Sequence, residues 1–262
     1  MTPAIPDPED VATHLWGLAS AREALAGSVL MTRPAAPGLT LASYLYAVRP
    51  AGPGALDADL DLALDRGVRR VVLESSTPPW VEAALRLRGW AVEDELRLEL
   101  PRGTQLSGSP PSIEVRPASH VDQDWQVRAG MLRADHLEED ARHGVPARPT
   151  PATEAIVEHR RAIAEFAPYL CAMHDGEVAG FLCTWLSPAR VGVIEDVYVR
   201  PPHRGRGIAT ALLHAAVAEL RASGAGRIAI AAEIGDTPAR LYSHLGFQPR
   251  RVVRSCVWST DV

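Results

Sequence analysis

The chain has 262 residues, a formal charge of −5 at pH 7 and 47% hydrophobic residues, enough length and apolar content for one large domain or two small ones. The charge is slight and no basic run carries interleaved aromatics, so nucleic acid is a poor main partner. All 27 positive charges are arginine, which excludes a nucleotidase loop that needs a lysine on the terminal phosphates.

In chain order, MTPAIPDPED is acidic and Pro-rich rather than a signal peptide, and no apolar stretch approaches the ~20 residues of a membrane span, so a cytoplasmic protein is expected. A long helix is predicted over about 9–26 and a strand over 40–48. From Arg70, RVVLESSTPPWVEAALRLRGWAVEDELRLEL aligns without a gap on RIAIAAEIGDTPARLYSHLGFQPRRVVRSCV from Arg227, at a constant offset of 157. Gly89 falls on Gly246 and Trp90 on Phe247, the pattern of a repeated unit. TQLSGSPPS (104–112) reads as a linker, which divides the chain into 1–103, 104–112 and 113–262.

Beyond it the patterns predict a strand at 113–118, helices at 122–134 and 153–166, and a hairpin of 169–175 and 177–187 through Asp175-Gly176. A strand at 191–199, a helix at 206–222, a strand at 227–234, a helix at 237–245 and a strand at 247–258 follow. Cys171, Cys183 and Cys256 lie in apolar contexts without Cys-x-x-Cys spacing and read as buried free thiols. The absence of both lysine and asparagine is the composition expected of a high-GC bacterium.

Residues 193–213, VIEDVYVRPPHRGRGIATALL, carry the strongest chemical signal: an apolar strand enters an Arg- and Gly-rich turn and then an amphipathic helix. The unpaired amides and positive dipole end of such a helix attract phosphate, and glycine lets the oxygens approach. The dinucleotide fingerprint fails, because Thr210 stands where its third glycine belongs.

Arg204-Gly205-Arg206-Gly207-Ile208-Ala209 fits Arg/Gln-x-x-Gly-x-Gly/Ala and resembles the acyl-CoA pyrophosphate loop of the GNAT N-acetyltransferase superfamily. DTPARLYSHLGF (236–247) is similar to that family's closing motif. The resemblance covers the last 150 residues or so. It implies an α/β (α+β) fold, a mixed and mostly antiparallel sheet flanked by helices, in tandem with a truncated N-terminal copy. It also implies that acetyl-CoA is the co-substrate, with Val197, Tyr198 and Val199 pairing with pantetheine, residues 204–210 holding the pyrophosphate, and Asp236, where many members carry Asn, near the cofactor. The N-terminal copy has Leu85 in place of Tyr242 and acidic Asp57, Asp59 and Asp61, so no acyl-CoA is expected there.

Acyl transfer to an amine needs a base, an oriented carbonyl and a proton for the thiolate. By the resemblance, Glu195 is the base and Tyr242 the general acid. Because side chains alternate along a strand, only one of Glu195 and Asp196 is expected to face the substrate, and which one is open. Glu138, Glu139 and Asp140, with His136 and His143, either draw a cationic amine or form a solvated helix end before a mobile loop. No metal site is expected, the His136–His143 spacing being unsuitable. The expected activity is acetylation of a primary amine on a small or amino-acid-like molecule; the alternative is a non-catalytic acyl-CoA-binding module. No membrane or nucleic-acid partner is expected, and a homodimer is left open.

Overall fold

The computed structural model describes residues 11–36, 39–119 and 121–258. A 3-10 turn at Val11–Gly17 leads to strands β1 (Ala21–Ala24), β2 (Val29–Thr32) and β3 (Tyr44–Tyr46), helix α1 (Pro53–Asp65), β4 (Arg70–Leu73), α2 (Pro79–Leu87) and β5 (Ala91–Leu100). Then come β6 (Glu114–Pro117), α3 (Asp122–His143), α4 (Thr150–Ile163), β7 (Tyr169–His174), β8 (Glu177–Leu186) and β9 (Val191–Val199). The chain ends with α5 (Ile208–Ala222), β10 (Arg227–Ala232), α6 (Thr237–Leu245) and β11 (Gln248–Val257). Among the described residues no helix is long and apolar enough to cross a membrane.

Two compact units form, interleaved in sequence: Met1–Arg97 with Ala232–Ala239 and Arg250–Val262, and Leu98–Ala231 with Arg240–Pro249. In the first, the strand order is β1-β2-β3-β4-β11. Only β3–β4 is parallel, and β11 runs antiparallel to β4 from Arg254↔Leu73 to Val257↔Arg70. Leu30, Leu45, Leu56, Val71, Leu85 and Trp90 form its core, each at most 5% exposed.

The helix predicted over 9–26 is not there. Its described part is the 3-10 turn followed by β1, and residues 1–10 lie outside the described residues. The Ala- and Leu-rich composition favours a helix, but tertiary bonding overrides that weak preference. Buried Asp59 accepts from Gly27 N (3.1 Å) and Ser28 Oγ (2.7 Å), which fixes the turn into β2. At Gly27 a Cβ would lie 2.7 Å from Pro50 Cα, so the turn admits no side chain. The predicted 40–48 strand shortens to β3.

The sequence repeat is a repeat of structure. β4-α2-β5 and β10-α6-β11 are both strand–helix–strand, and β5 and β11 begin and end at the same 157-residue offset. Both helices stop at a left-handed glycine, Gly89 (φ 86°) and Gly246 (φ 107°), and the next amide bonds back to equivalent carbonyls: Trp90 N to Leu85 O at 3.1 Å and Phe247 N to Tyr242 O at 3.0 Å.

In the second unit the order is β10-β9-β8-β7-β6, antiparallel except for β9–β10. β7 and β8 turn through Asp175 (φ 53°) and Gly176 (φ 81°), the left-handed pair a two-residue hairpin needs. α5 packs its Ile208, Leu212, Leu213, Ala216 and Leu220 inward. α3 is nine residues longer than the predicted 122–134, and ends where Gly144 turns left-handed and Val145 N bonds Asp140 O at 3.0 Å. Cys171, Cys183 and Cys256 are buried and free, as expected.

Candidate active site

The Arg- and Gly-rich turn between β9 and α5 has the glycine conformations its composition predicts. After β9, Pro201–His203 make a 3-10 turn, Gly205 and Gly207 adopt φ 74° and 81°, and Gly207 begins α5 with no side-chain cap. The first-turn amides of Ile208, Ala209 and Thr210 therefore have no capping side chain and sit at the positive end of the helix dipole. Around Gly205 a Cβ would meet nothing within 4 Å, so its approach is open; at Gly207 it would crowd Pro111 Cγ at 3.0 Å.

Arg204 is already engaged. Its Nε donates to Val199 O (2.9 Å), its Nη2 to Glu138 Oε2 (2.7 Å), and its guanidinium lies 5.7 Å from the centre of the Tyr198 ring. Arg206 is about half exposed, with Nη1 3.8 Å from Asp175 Oδ2. Polyanion binding would thus draw on loop amides and Arg206 directly, and on Arg204 in competition with Glu138.

The parallel β9–β10 ladder runs from Val191↔Arg227 to Ile194↔Ile230 and stops. Beyond it, β9 carries a bulge against β8: Phe181 pairs with Tyr198 and Cys183 with Glu195, so three steps on β9 face two on β8. Asp196 sits in the bulge at φ 56°. Strict alternation therefore does not hold through Glu195 and Asp196.

Asp196 accepts from Arg160 Nε (2.6 Å), Arg160 Nη2 (2.5 Å) and the Tyr169 hydroxyl (2.6 Å). Its carboxylate is committed to this buried knot. Burial alone would pull Arg160 below its ordinary range, and Asp196 reverses the direction, so the guanidinium stays charged. Burial first, then the Asp196 charge, pushes the Tyr169 phenol well up. Glu195 is partly buried.

Opposite them α3 presents Asp135, whose carboxyl is pushed up to about 6 by burial, then by Asp196 and Glu139, against the pull of Arg160. Glu138 takes Arg204 and lies 3.5 Å from the Tyr198 hydroxyl. Glu139 and Asp140 both bind Arg148 of the α3–α4 connection, at 2.6 Å each. That connection is pinned rather than loose. His136, driven down to about 4 by burial and then Arg160, meets Thr153 Oγ1 at 3.1 Å. A cleft of about 720 Å³ lies between α3 and the sheet, walled by Val127, Met131, Met173, Val178 and Tyr198.

Tyr242 is 4% exposed on α6, its ring centre 6.2 Å from that of Phe247. Asp236 serves as the helix cap, its Oδ1 accepting from Ala239 N at 2.7 Å. Val197, Tyr198 and Val199 form the end of β9 beyond the β9–β10 ladder. The structure thus gathers Tyr198, Arg204 and Glu138 in one cluster, and Asp135, Asp196, Arg160 and Tyr169 in a second. Sequence reading misses Asp135, Arg160 and Tyr169. The available signal is the i, i+3, i+4 spacing of Asp135, Glu138 and Glu139, which places all three on one side of α3.

The sequence model of the acetyltransferase (GNAT) family matches residues 133–247. No curated protein matches the chain. Among solved structures, a GCN5-related N-acetyltransferase from Kribbella flavida is similar at 17% identity, with 99% of this chain and 98% of that one covered and a TM-score of 0.62. A functionally unknown conserved protein from Staphylococcus epidermidis covers 90% and 93% at 10% identity and a TM-score of 0.64. A tandem GNAT protein of the clavulanic acid biosynthesis pathway covers 98% and 90% at 16% identity and a TM-score of 0.54. At these identities the likeness is one of fold.

Proposed function

We propose, from the match of residues 133–247 to the GNAT acetyltransferase family model, that the chain transfers an acetyl group from acetyl-CoA to a primary amine of a small or amino-acid-like molecule, within a ternary complex. The observation that carries this reading is the uncapped start of α5, with left-handed Gly205 and Gly207, downstream of the end of β9 that no longer pairs with β10. The thioester supplies an activated acyl carbon. This chain supplies positioning and protons: loop amides 204–210 for the pyrophosphate, the Val197–Val199 edge beyond the β10 ladder for the pantetheine amides, and the acids of α3 for a cationic amine.

As nitrogen bonds to the acyl carbon and the carbon–sulfur bond breaks, Glu195 takes the amine proton and Tyr242 gives one to the departing sulfur. Tyr242 then regains its proton from solvent. One observation favours a second reading of the base: Asp135, at about 6, is charged at neutral pH yet basic enough to accept a proton. Asp135→Asn is expected to remove the acidic limb of kcat/KM near pH 6; an unmoved limb leaves the role to Glu195. Folding raises this pKa, so ionising Asp135 costs stability, a cost absent below about pH 4 and complete above about pH 6. The variant should therefore unfold at higher urea than wild type at pH 7, by on the order of 2 kcal/mol.

The function is tested by CoA-thiol release over polyamines, amino acids, aminoglycosides and peptide N-termini. Turnover with a cationic amine is expected; acyl-CoA binding with no acceptor anywhere in the panel favours the non-catalytic binding module. Arg204→Ala with Arg206→Ala is expected to weaken acetyl-CoA binding about tenfold at low salt and less at high salt, because exposed charges are screened. Calorimetry at two salt concentrations reads the difference, and equal affinities to wild type at both would remove the loop from the site.

A further inference from the structure

Two ring nitrogens of the second unit, His174 Nδ1 and His203 Nδ1, are buried without a hydrogen-bond partner among the described residues. A desolvated imidazole nitrogen in that condition is costly unless something else binds it. His203 is 5% exposed, and its ring stands edge-on to that of His174 with centres 5.4 Å apart. The other nitrogen of His203, Nε2, is held 2.8 Å from Glu177 Oε1, while Glu177 Oε2 takes Arg200 at 2.5 Å. His174 Nδ1 lies 3.0 Å from Asp175 Oδ2, oriented so that no hydrogen bond forms. One ligand atom from each of His174, Asp175 and His203 lies within 4.8 Å of the other two.

We propose that His174, Asp175 and His203 bind a divalent transition-metal ion of the zinc class, at the β7–β8 turn beside the phosphate loop. Ligands bonded to tetrahedral zinc at about 2.0–2.2 Å lie about 3.3 Å from one another, so the nitrogen–oxygen pair is already near ligand spacing. Two imidazoles and one carboxylate suit zinc and its neighbours, with the fourth position left to water. Glu177 on His203 Nε2 fixes the tautomer that frees Nδ1, the arrangement in which a carboxylate backs a metal-bound histidine. Asp175 is 70% exposed by its side chain, and its Oδ2 lies 3.0 Å from His174 Nδ1 and 3.8 Å from Arg206 Nη1, so an ion would compete with Arg206 for it. Because His203 directly precedes Arg204, the ion would fasten the phosphate loop to the hairpin. The site stands independently of the acyl-transfer reading.

The test uses the full chain dialysed against chelator, titrated calorimetrically with zinc and followed by visible absorption with cobalt(II). Wild type is expected to bind one ion per chain at micromolar Kd or tighter, with tetrahedral cobalt absorption. His203→Gln and Asp175→Asn should abolish it; Asn keeps the left-handed turn, so this variant folds even if the buried one does not. Glu177→Gln should weaken binding about 10–100-fold. No binding by wild type overturns the proposal. So does unchanged affinity in Asp175→Asn and Glu177→Gln, since the ion would then sit elsewhere.

Discussion

Tyr242→Phe is expected to lower kcat by roughly 10²–10⁴ while leaving acetyl-CoA affinity unchanged. The ring is 4% exposed and fixed by its helix, by Phe247 N bonding back to Tyr242 O, and by Gly246 ending α6 in the left-handed region. Phenylalanine keeps that packing, so the substitution isolates the hydroxyl. A phenol with a reference pKa of about 10 is protonated throughout the neutral range, and a thiol near 8.5 is a leaving group that benefits from a proton as the carbon–sulfur bond breaks. Removing the donor leaves water to do this, which acts on the chemical step and not on binding. Single-turnover kinetics separates the two. A kcat within threefold of wild type would show that the hydroxyl serves packing alone.

The turn from β9 into α5 was legible because its physics is local: glycines that must turn left-handed, a helix start without a cap, and arginines at hand. The strand–helix–strand repeat was legible for the same reason, down to Gly89 and Gly246. The α3 face of the cleft was not. Asp135 acquires its raised pKa first from burial and then from the charge of Asp196, a residue that only the fold brings to it. The bulge at Asp196 was not legible either, because it depends on how β9 pairs with β8, which periodicity does not encode. The helix predicted over 9–26 failed similarly, its weak propensity overruled by Asp59, some thirty residues away from Gly27 and Ser28. His203 carries no signal in the sequence, because its buried Nδ1 arises only from packing.

Arg160→Ala is expected to destabilise the chain by about 3–5 kcal/mol. Arg160 and Asp196 expose only 9% and 8% of their side chains, and the pair is closed by two hydrogen bonds and the Tyr169 hydroxyl. Alanine would leave Asp196 charged and desolvated in a left-handed bulge that cannot easily relax. Asp196→Asn keeps the bulge, since asparagine tolerates that conformation, and should cost less. In a double-mutant cycle the two losses should fall short of additive, because either one breaks the same pair. The pair also sets Asp135: the Arg160 charge holds its pKa down and the Asp196 charge pushes it up. If Asp135 is the base, the acidic limb should move above pH 6 in Arg160→Ala and below it in Asp196→Asn. Opposite shifts from two variants that both destabilise cannot come from loss of structure, so a limb that moves the same way in both would exclude Asp135.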